Sequence, residues 1–207
     1  MTSAPRIVLA SASPRRADVM RQIGLDPEIR PADVDEAYLP GETPPEHVER
    51  LARLKAEELL SRLGAEGAGS DVMVVGGDTV VVDAGRVLTK PVDDAEARRM
   101  LEGLSGGSHE VLSGIAIAYA GGTVSDVART RVHMRNYGAE TAAAYVATGE
   151  PMDKAGGYGI QGLGAALVAR IDGDYYSVVG FPVGTFLDLL ERTGWRAAFG
   201  TLVRIGG

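Results

Sequence analysis

The chain has 207 residues and is 45% hydrophobic, enough for one substantial core or two small lobes around a cleft. Lys and Arg total 21 against 28 Asp and Glu, a formal charge of -7, so the long-range field repels polyanions and excludes extended nucleic acid, while a local basic cluster can still meet a small triphosphate. The absence of cysteine removes disulfides, thiol nucleophiles and thiolate zinc sites, and no apolar run approaches a membrane span or a signal peptide, which leads to the expectation of a cytoplasmic protein without membrane partners.

Arg6 to Ala10 reads as a short buried strand, followed by Ser13 as a helix N-cap, Pro14 at the first helical position and Gly24 as the stop. A second strand over Glu28 to Ala32 runs into the acids Asp33, Asp35 and Glu36. Thr43, Pro44, Pro45 and Glu46 make a capping box for a helix to about Leu63, whose apolar stripe is Val48, Leu51, Ala52, Ala56, Leu59 and Leu63. Lys55 lies four residues from both Leu51 and Leu59, on or beside that stripe, and so needs a partner. After the glycine-rich connection Gly64 to Ser70, Val72 to Val75 and Thr79 to Val82 read as strands interrupted by Gly76, Gly77 and Asp78. Arg86 to Leu88 continues the sheet, and Asp93 with Glu96 opens a helix through Leu104. His109 to Tyr119 and Thr123 to Arg135 form a half-exposed antiparallel hairpin joined at Gly121 and Gly122. A helix over Ala139 to Thr148 precedes a glycine-dense stretch, Gly156 to Gly164, then a strand over Ala165 to Ile171, a turn at Asp172 and Gly173, a returning strand Tyr175 to Val179, and a last helix ending near Thr193. Helices interleaved with short buried strands and long hairpins predict an α/β fold with a mixed sheet, not a regular doubly wound one.

Ser11, Ser13, Arg15 and Arg16 put two hydroxyls and two guanidinium groups around the free amides of a helix start, which suits a phosphate; an ordinary N-cap followed by solvated arginines is the other reading. Glu36 and Asp78, each after or between strands, are the candidate hard-oxygen ligands for Mg2+ or Mn2+, and Asp78 is also the candidate base for an attacking water. A solvated loop acid is the alternative for Glu36, whereas the valines around Asp78 argue for burial, where a carboxylate needs a partner. Lys55 and Lys90 are the cations that could neutralise a phosphate, against a snorkelling helix lysine and an exposed loop lysine. Gly157 to Gly162 spells GxGxxG, yet a predicted strand where the dinucleotide fingerprint requires a helix rejects that motif. These glycines instead shape a loop in which backbone amides and Gln161 can approach a base, whose donors and acceptors a carboxamide reads.

Taken together, Leu9-Ala-Ser-Ala-Ser-Pro-Arg-Arg16, Arg50-Leu-Ala-Arg-Leu-Lys-Ala56, Gly77-Asp-Thr79, Leu88-Thr-Lys-Pro91, Leu104-Ser-Gly-Gly-Ser-His-Glu-Val111 and Asp153-Lys-Ala-Gly-Gly-Tyr-Gly-Ile-Gln-Gly162 resemble the Maf family of nucleotide pyrophosphatases, also called septum formation inhibitors. The resemblance spans almost the entire chain in order. It implies one Maf-like domain over residues 1–207, with a twisted mixed sheet flanked by helices and an elongated, two-lobed shape around a central cleft. It further implies a divalent cation, hydrolysis of a triphosphate to monophosphate and pyrophosphate, and a homodimer. Asp78 would be the proton acceptor, Arg15, Thr79 and Gln161 would hold the positions linked to substrate choice, and Ser11, Arg16, Glu36, Lys55 and Lys90 would complete the phosphate and metal site. The Gly-Tyr-Gly-Ile-Gln-Gly loop is similar to that of the branch acting on dTTP and UTP. A purine or 7-methyl-GTP pyrophosphatase, or a non-catalytic nucleotide-binding regulator of septum formation, are the alternatives.

Overall fold

A computed structural model describes residues 4–69 and 71–206; Ser70, the end of the expected Gly64 to Ser70 connection, lies outside the described residues. The chain runs β1 (Arg6–Leu9), α1 (Pro14–Gln22), β2 (Glu28–Ile29), α2 (Pro44–Ala65), β3 (Val72–Asp83), β4 (Arg86–Leu88), α3 (Asp94–Leu104), β5 (Ser108–Tyr119), β6 (Gly122–Met134) and α4 (Ala139–Val146). Three short 3-10 turns (Glu150–Asp153, Ala155–Gly157, Gly162–Leu167) lead to β7 (Val168–Asp172), α5 (Tyr175–Val179), α6 (Val183–Arg192), β8 (Trp195–Ala197) and β9 (Leu202–Arg204). The fold is the expected mixed α/β sheet with flanking helices. No helix among the described residues is long and apolar enough to cross a membrane.

Two compact units share the chain. The first comprises Met1–Thr79, Ser113–Ala128 and Gly180–Gly207, and the second Val80–Leu112 and Arg129–Val179. In the first, the strand order is β2-β1-β3-β5-β6, with β1 parallel to both β2 and β3 and Leu9 opposite Val75. Helix α2 covers one face of these strands: its Ala52, Ala56, Leu59 and Leu63 pack with Val8, Val72, Val74, Ala116 and Ala118. The capping box forms as the sequence predicts, with the Thr43 and Glu46 side chains each bonding the other's backbone. In the second unit, β4 pairs antiparallel with β3 and β7 with β6, and α3 and α4 close a core of Leu101, Leu104, Val132, Tyr145, Tyr158 and Leu167.

Several expectations change. β3 is one unbroken strand, because Gly76 does not break it but lets α2 approach: a Cβ at Gly76 would stand 2.1 Å from the Ala52 carbonyl oxygen. Gly114 on β5 does the same one helical turn earlier, where a Cβ would lie 2.2 Å from the Val48 carbonyl oxygen. β5 is buried along almost its full length, so its alternation of types does not mark a solvent face; only β6 is half-exposed. Residues 162–167 form a 3-10 turn before β7, which shortens the expected Ala165 to Ile171 strand. Tyr175 to Val179 is a helical turn, not a strand, despite its β-prone residues. Local hydrogen bonds override that propensity: the Asp174 carboxylate accepts from Tyr176 N–H at 2.9 Å, and the Thr130 hydroxyl ties the Asp174 backbone at 2.9 and 3.1 Å.

Candidate active site

Strand alternation builds this site. Gly76 and Asp78 share the β3 face that meets α2, while Gly77 and Thr79 share the opposite face. On the α2 side, Lys55 follows the close contact at Ala52 by three residues, and its Nζ reaches Asp78 Oδ1 at 2.9 Å and Glu36 Oε1 at 2.7 Å. The lysine expected to need a partner therefore has two. Its side chain is 9% exposed and that of Asp78 13%, so their pair is shielded from water, whereas Glu36 at 60% meets the ammonium from the solvent side.

On the opposite face the Arg16 guanidinium lies over Gly77, where a Cβ would sit 3.3 Å from its Nε. Arg16 donates to the Gly180 carbonyl at 2.9 Å, to Ser11 Oγ at 2.9 Å and to Thr79 Oγ1 at 3.2 Å. Enclosure by protein lowers the Arg16 pKa, an effect that neighbouring Arg15 adds to and Asp78 opposes. Ser11 Oγ also accepts from the Ser13 N–H at 3.2 Å, while Ser13, at the N-cap position, makes no side-chain cap of its own. Ser11, rather than the predicted Ser13, thus serves both the helix start and the arginine. Thr79 Oγ1 shares a 2.9 Å hydrogen bond with the fully buried Ser113 hydroxyl on neighbouring β5. Ser113 carries no signal in the sequence, because a serine inside an apolar strand belongs to no motif.

The loop that brings Glu36 to Lys55 is anchored by a cluster that the sequence did not disclose. Arg50 on α2 donates to the Ala37 carbonyl at 2.9 Å and to Glu42 Oε2 at 2.9 Å, and Glu42 also accepts from Leu39 N–H at 3.0 Å and bonds His47 Nδ1 at 3.0 Å. The Arg50 hydrogen bond, chiefly, holds the Glu42 carboxyl down to about 2, burial opposing it. Tyr38 stacks flat on His47, ring centroids 3.5 Å apart.

The structure therefore gathers Ser11, Arg16, Glu36, Lys55, Asp78 and Thr79 within the first unit, with half-buried Arg15 next to Arg16 on α1. Lys90 and Gln161 belong to the second unit: Lys90 is exposed after β4, and Gln161 immediately precedes the turn Gly162–Leu167. Among the described residues, no three or more of His, Cys, Asp and Glu form a closed metal cage. The buried His109 bonds the Tyr158 hydroxyl at 2.7 Å, with its ring edge-on to the tyrosine, and so ties the glycine loop to β5.

The chain belongs to the Maf-like protein family, whose match runs over residues 6–193 and takes in all of the residues above. It is 44% identical over 196 residues to a dTTP/UTP pyrophosphatase of Geotalea uraniireducens, covering 94% of this chain and 98% of that one. A dTTP/UTP pyrophosphatase of Methylobacillus flagellatus is 46% identical over 91% of this chain and 93% of its own, and one of Moorella thermoacetica is 46% identical over 91% and 95%. Enzymes so named are hydrolases acting on phosphoric anhydrides.

Proposed function

We propose that this chain is a nucleoside triphosphate pyrophosphatase that hydrolyses dTTP and UTP to the monophosphate and pyrophosphate, working as one Maf-like domain. The observation that carries this reading is the meeting of Glu36 and Asp78 on Lys55, with the Arg16 guanidinium on the opposite face of the same strand and still feeling the charge of Asp78, for it sets a shielded carboxylate against one cation and within the field of a second. Arg15, Arg16 and Lys55, with the Ser11 hydroxyl and Lys90, bind and orient the phosphates, and Asp78 takes the proton of the water that attacks the α-phosphorus. Pyrophosphate is then the leaving group. Thr79, held by Ser113 and Arg16, positions the substrate between these groups.

The residues fit a divalent cation. Two carboxylates converge on one point charge at 2.7 and 2.9 Å without forming a closed cage, the donor set that suits Mg2+ or Mn2+ held by one or two carboxylates together with phosphate and water. Glu36 and Asp78 would hold it. When bound, such a cation neutralises charge on the phosphate oxygens. Gln161 reads the base: uracil and thymine share an N3 donor flanked by O2 and O4 acceptors, and a carboxamide can pair with either.

The test is a panel of dTTP, UTP, GTP, ITP and 7-methyl-GTP with Mg2+ or Mn2+, following both pyrophosphate and orthophosphate. Pyrophosphate from dTTP and UTP, abolished by chelator, is the expected result. Orthophosphate as the product, undiminished turnover in chelator, or tight nucleotide binding without turnover would each overturn the reading.

A further inference from the structure

Within the second unit, the chain from Gly149 to Gly164 folds around one carboxylate. Glu150 Oε1 accepts from the Tyr145 hydroxyl at 2.8 Å and from Gly164 N–H at 3.0 Å, while Oε2 accepts from Leu163 N–H at 3.0 Å. The Tyr145 oxygen accepts in turn from Gly159 N–H at 3.2 Å. Backbone amides on both sides of Gln161 are therefore held by one acid and one phenol. Side-chain-free positions make that possible: a Cβ on Gly162, at φ +67, would lie 2.9 Å from Glu150 Oε2, and one on Gly164 would lie 2.5 Å from the Tyr145 oxygen. Burial alone would raise the Glu150 carboxyl, but the two N–H donors and the phenol outweigh it and hold it below the usual range.

Gln161 occupies the N-cap position of the turn Gly162–Leu167 and makes no side-chain cap. At that position a short polar side chain offers its oxygen to the amides two and three residues on, and the longer carboxamide of Gln161 carries the same kind of acceptor. Those amides are Leu163 and Gly164, the two that Glu150 takes. An ionised carboxylate is the stronger acceptor and wins the competition against a neutral carboxamide.

We propose that Glu150 is a positioning residue for base selection: its carboxylate, seconded by Tyr145, caps the turn in place of Gln161 and so keeps the Gln161 carboxamide available to the nucleobase. This rests on the proposed function, in which Gln161 reads uracil and thymine. With Glu150→Gln, the Leu163 and Gly164 amides lose their charged acceptor and the Gln161 oxygen becomes the local substitute, which withdraws it from the base.

The experiment compares wild type, Glu150→Gln, Tyr145→Phe, Gln161→Ala and the double variant Glu150→Gln/Gln161→Ala, measuring kcat and KM for dTTP, UTP and GTP. Glu150→Gln is expected to lower kcat/KM for the two pyrimidine nucleotides about tenfold, the worth of one hydrogen bond, chiefly through KM, and to lower their ratio to GTP in the same measure. Tyr145→Phe moves in the same direction by less and serves if Glu150→Gln melts. Because Glu150 acts through Gln161, the double variant keeps the base ratio of Gln161→Ala alone. Equal loss on all three nucleotides, or a ratio that falls further in the double variant, overturns the proposal. A second arm needs no turnover: in nucleotide-free protein, the Leu163 and Gly164 amide resonances are expected to move as Glu150 is protonated with acid, and the Gln161 side-chain amide to shift in Glu150→Gln. Resonances that stay put in both cases overturn the proposal whatever the kinetics show. A wild type inactive on dTTP and UTP would instead sink the proposed function, and the resonance arm would still decide the role of Glu150.

Discussion

The stretch around Gly76 and the stretch from Gly149 to Gly164 both use glycine for close approach, to opposite ends. At Gly76 and Gly114 the missing Cβ lets the α2 backbone rest on two neighbouring strands, so that two side chains, Lys55 and Asp78, meet across a fixed gap. At Gly162 and Gly164 the missing Cβ lets one side chain, Glu150, come up to a backbone and fix its shape. The first region positions charge with backbone; the second positions backbone with charge. On the proposed reading, the first therefore governs how fast any triphosphate is cleaved and the second governs which one.

The sharpest way to break this division is Asp78→Asn, which keeps the shape of the side chain and removes the proposed base. Turnover is expected to fall by about 10²–10⁴ on every triphosphate alike in a variant that still folds, with a lowered melting temperature because the shielded Lys55 ammonium keeps only the exposed Glu36 as partner. Near-native turnover in a folded variant would assign Asp78 a structural role only. Next in size is Gly76→Ala, whose Cβ would stand 2.1 Å from the Ala52 carbonyl oxygen and must push helix from strand. Chemical denaturation is expected to show a loss of about 3 kcal/mol, whereas Gly64→Ala near the end of the same helix, with nothing within 4 Å, gains up to about 1 kcal/mol. Equal effects at the two glycines would remove the close-approach account.

For the second region the corresponding handle is pH. Burial pushes the His109 imidazole down to about 4, with Asp83 opposing and His133 adding to the effect. In the unfolded chain it takes up a proton near 6.5, so its contribution to stability is full above about 6.5 and is lost as pH falls toward about 4. Denaturation between pH 7 and pH 4 is expected to show a decline of about 3 kcal/mol from this residue, absent in His109→Gln. A profile that does not flatten in the variant would place the titration elsewhere. The smallest effect belongs to Ser113→Ala, which takes one hydrogen bond from Thr79 and is expected to lower kcat/KM about fivefold, equivalent to about 1 kcal/mol. No change would mean that Arg16 alone fixes Thr79.

How much of this was legible in the sequence depended on whether a residue announced its environment by its type. Lys55 did, because a cation beside an apolar helical stripe requires an acid, and Asp78 did, because a carboxylate among valines requires a cation. The helix starts were legible from Thr43 with Glu46 and from Asp93, whose carboxylate accepts from the Glu96 N–H at 2.7 Å, although the Glu96 side chain reaches one residue further back, to the Val92 N–H at 2.8 Å. Ser113 and Glu150 were not. A serine in an apolar strand and a glutamate before a proline look like ordinary residues, and their partners lie 34, 13 and 14 positions away, set by strand pairing and loop closure rather than by local pattern. The strand expected over Tyr175 to Val179 failed for a related reason: the hydroxyl of Thr130, 44 residues earlier, fixes the Asp174 backbone and starts a helical turn that β-propensity alone would forbid. The C-terminal hairpin Trp195–Ala197 with Leu202–Arg204 has strands too short for a period to register in the sequence.

The resting place of α2 on Gly76 and Gly114 bears on how this protein can change over time. Successive helical turns, at Val48 and Ala52, each set a carbonyl group against a glycine on adjacent strands, so the depth at which the helix sits is decided by main-chain atoms. The distance from Lys55 to Asp78 then depends little on which aliphatic residues fill the space beyond. Leu59, Leu63, Val72 and Val74 are free to drift among hydrophobic types of similar volume, or to be redesigned for thermal endurance, without retuning the ion pair. The two glycines carry no such freedom: they are the gauge blocks against which the rest of the interior is allowed to vary.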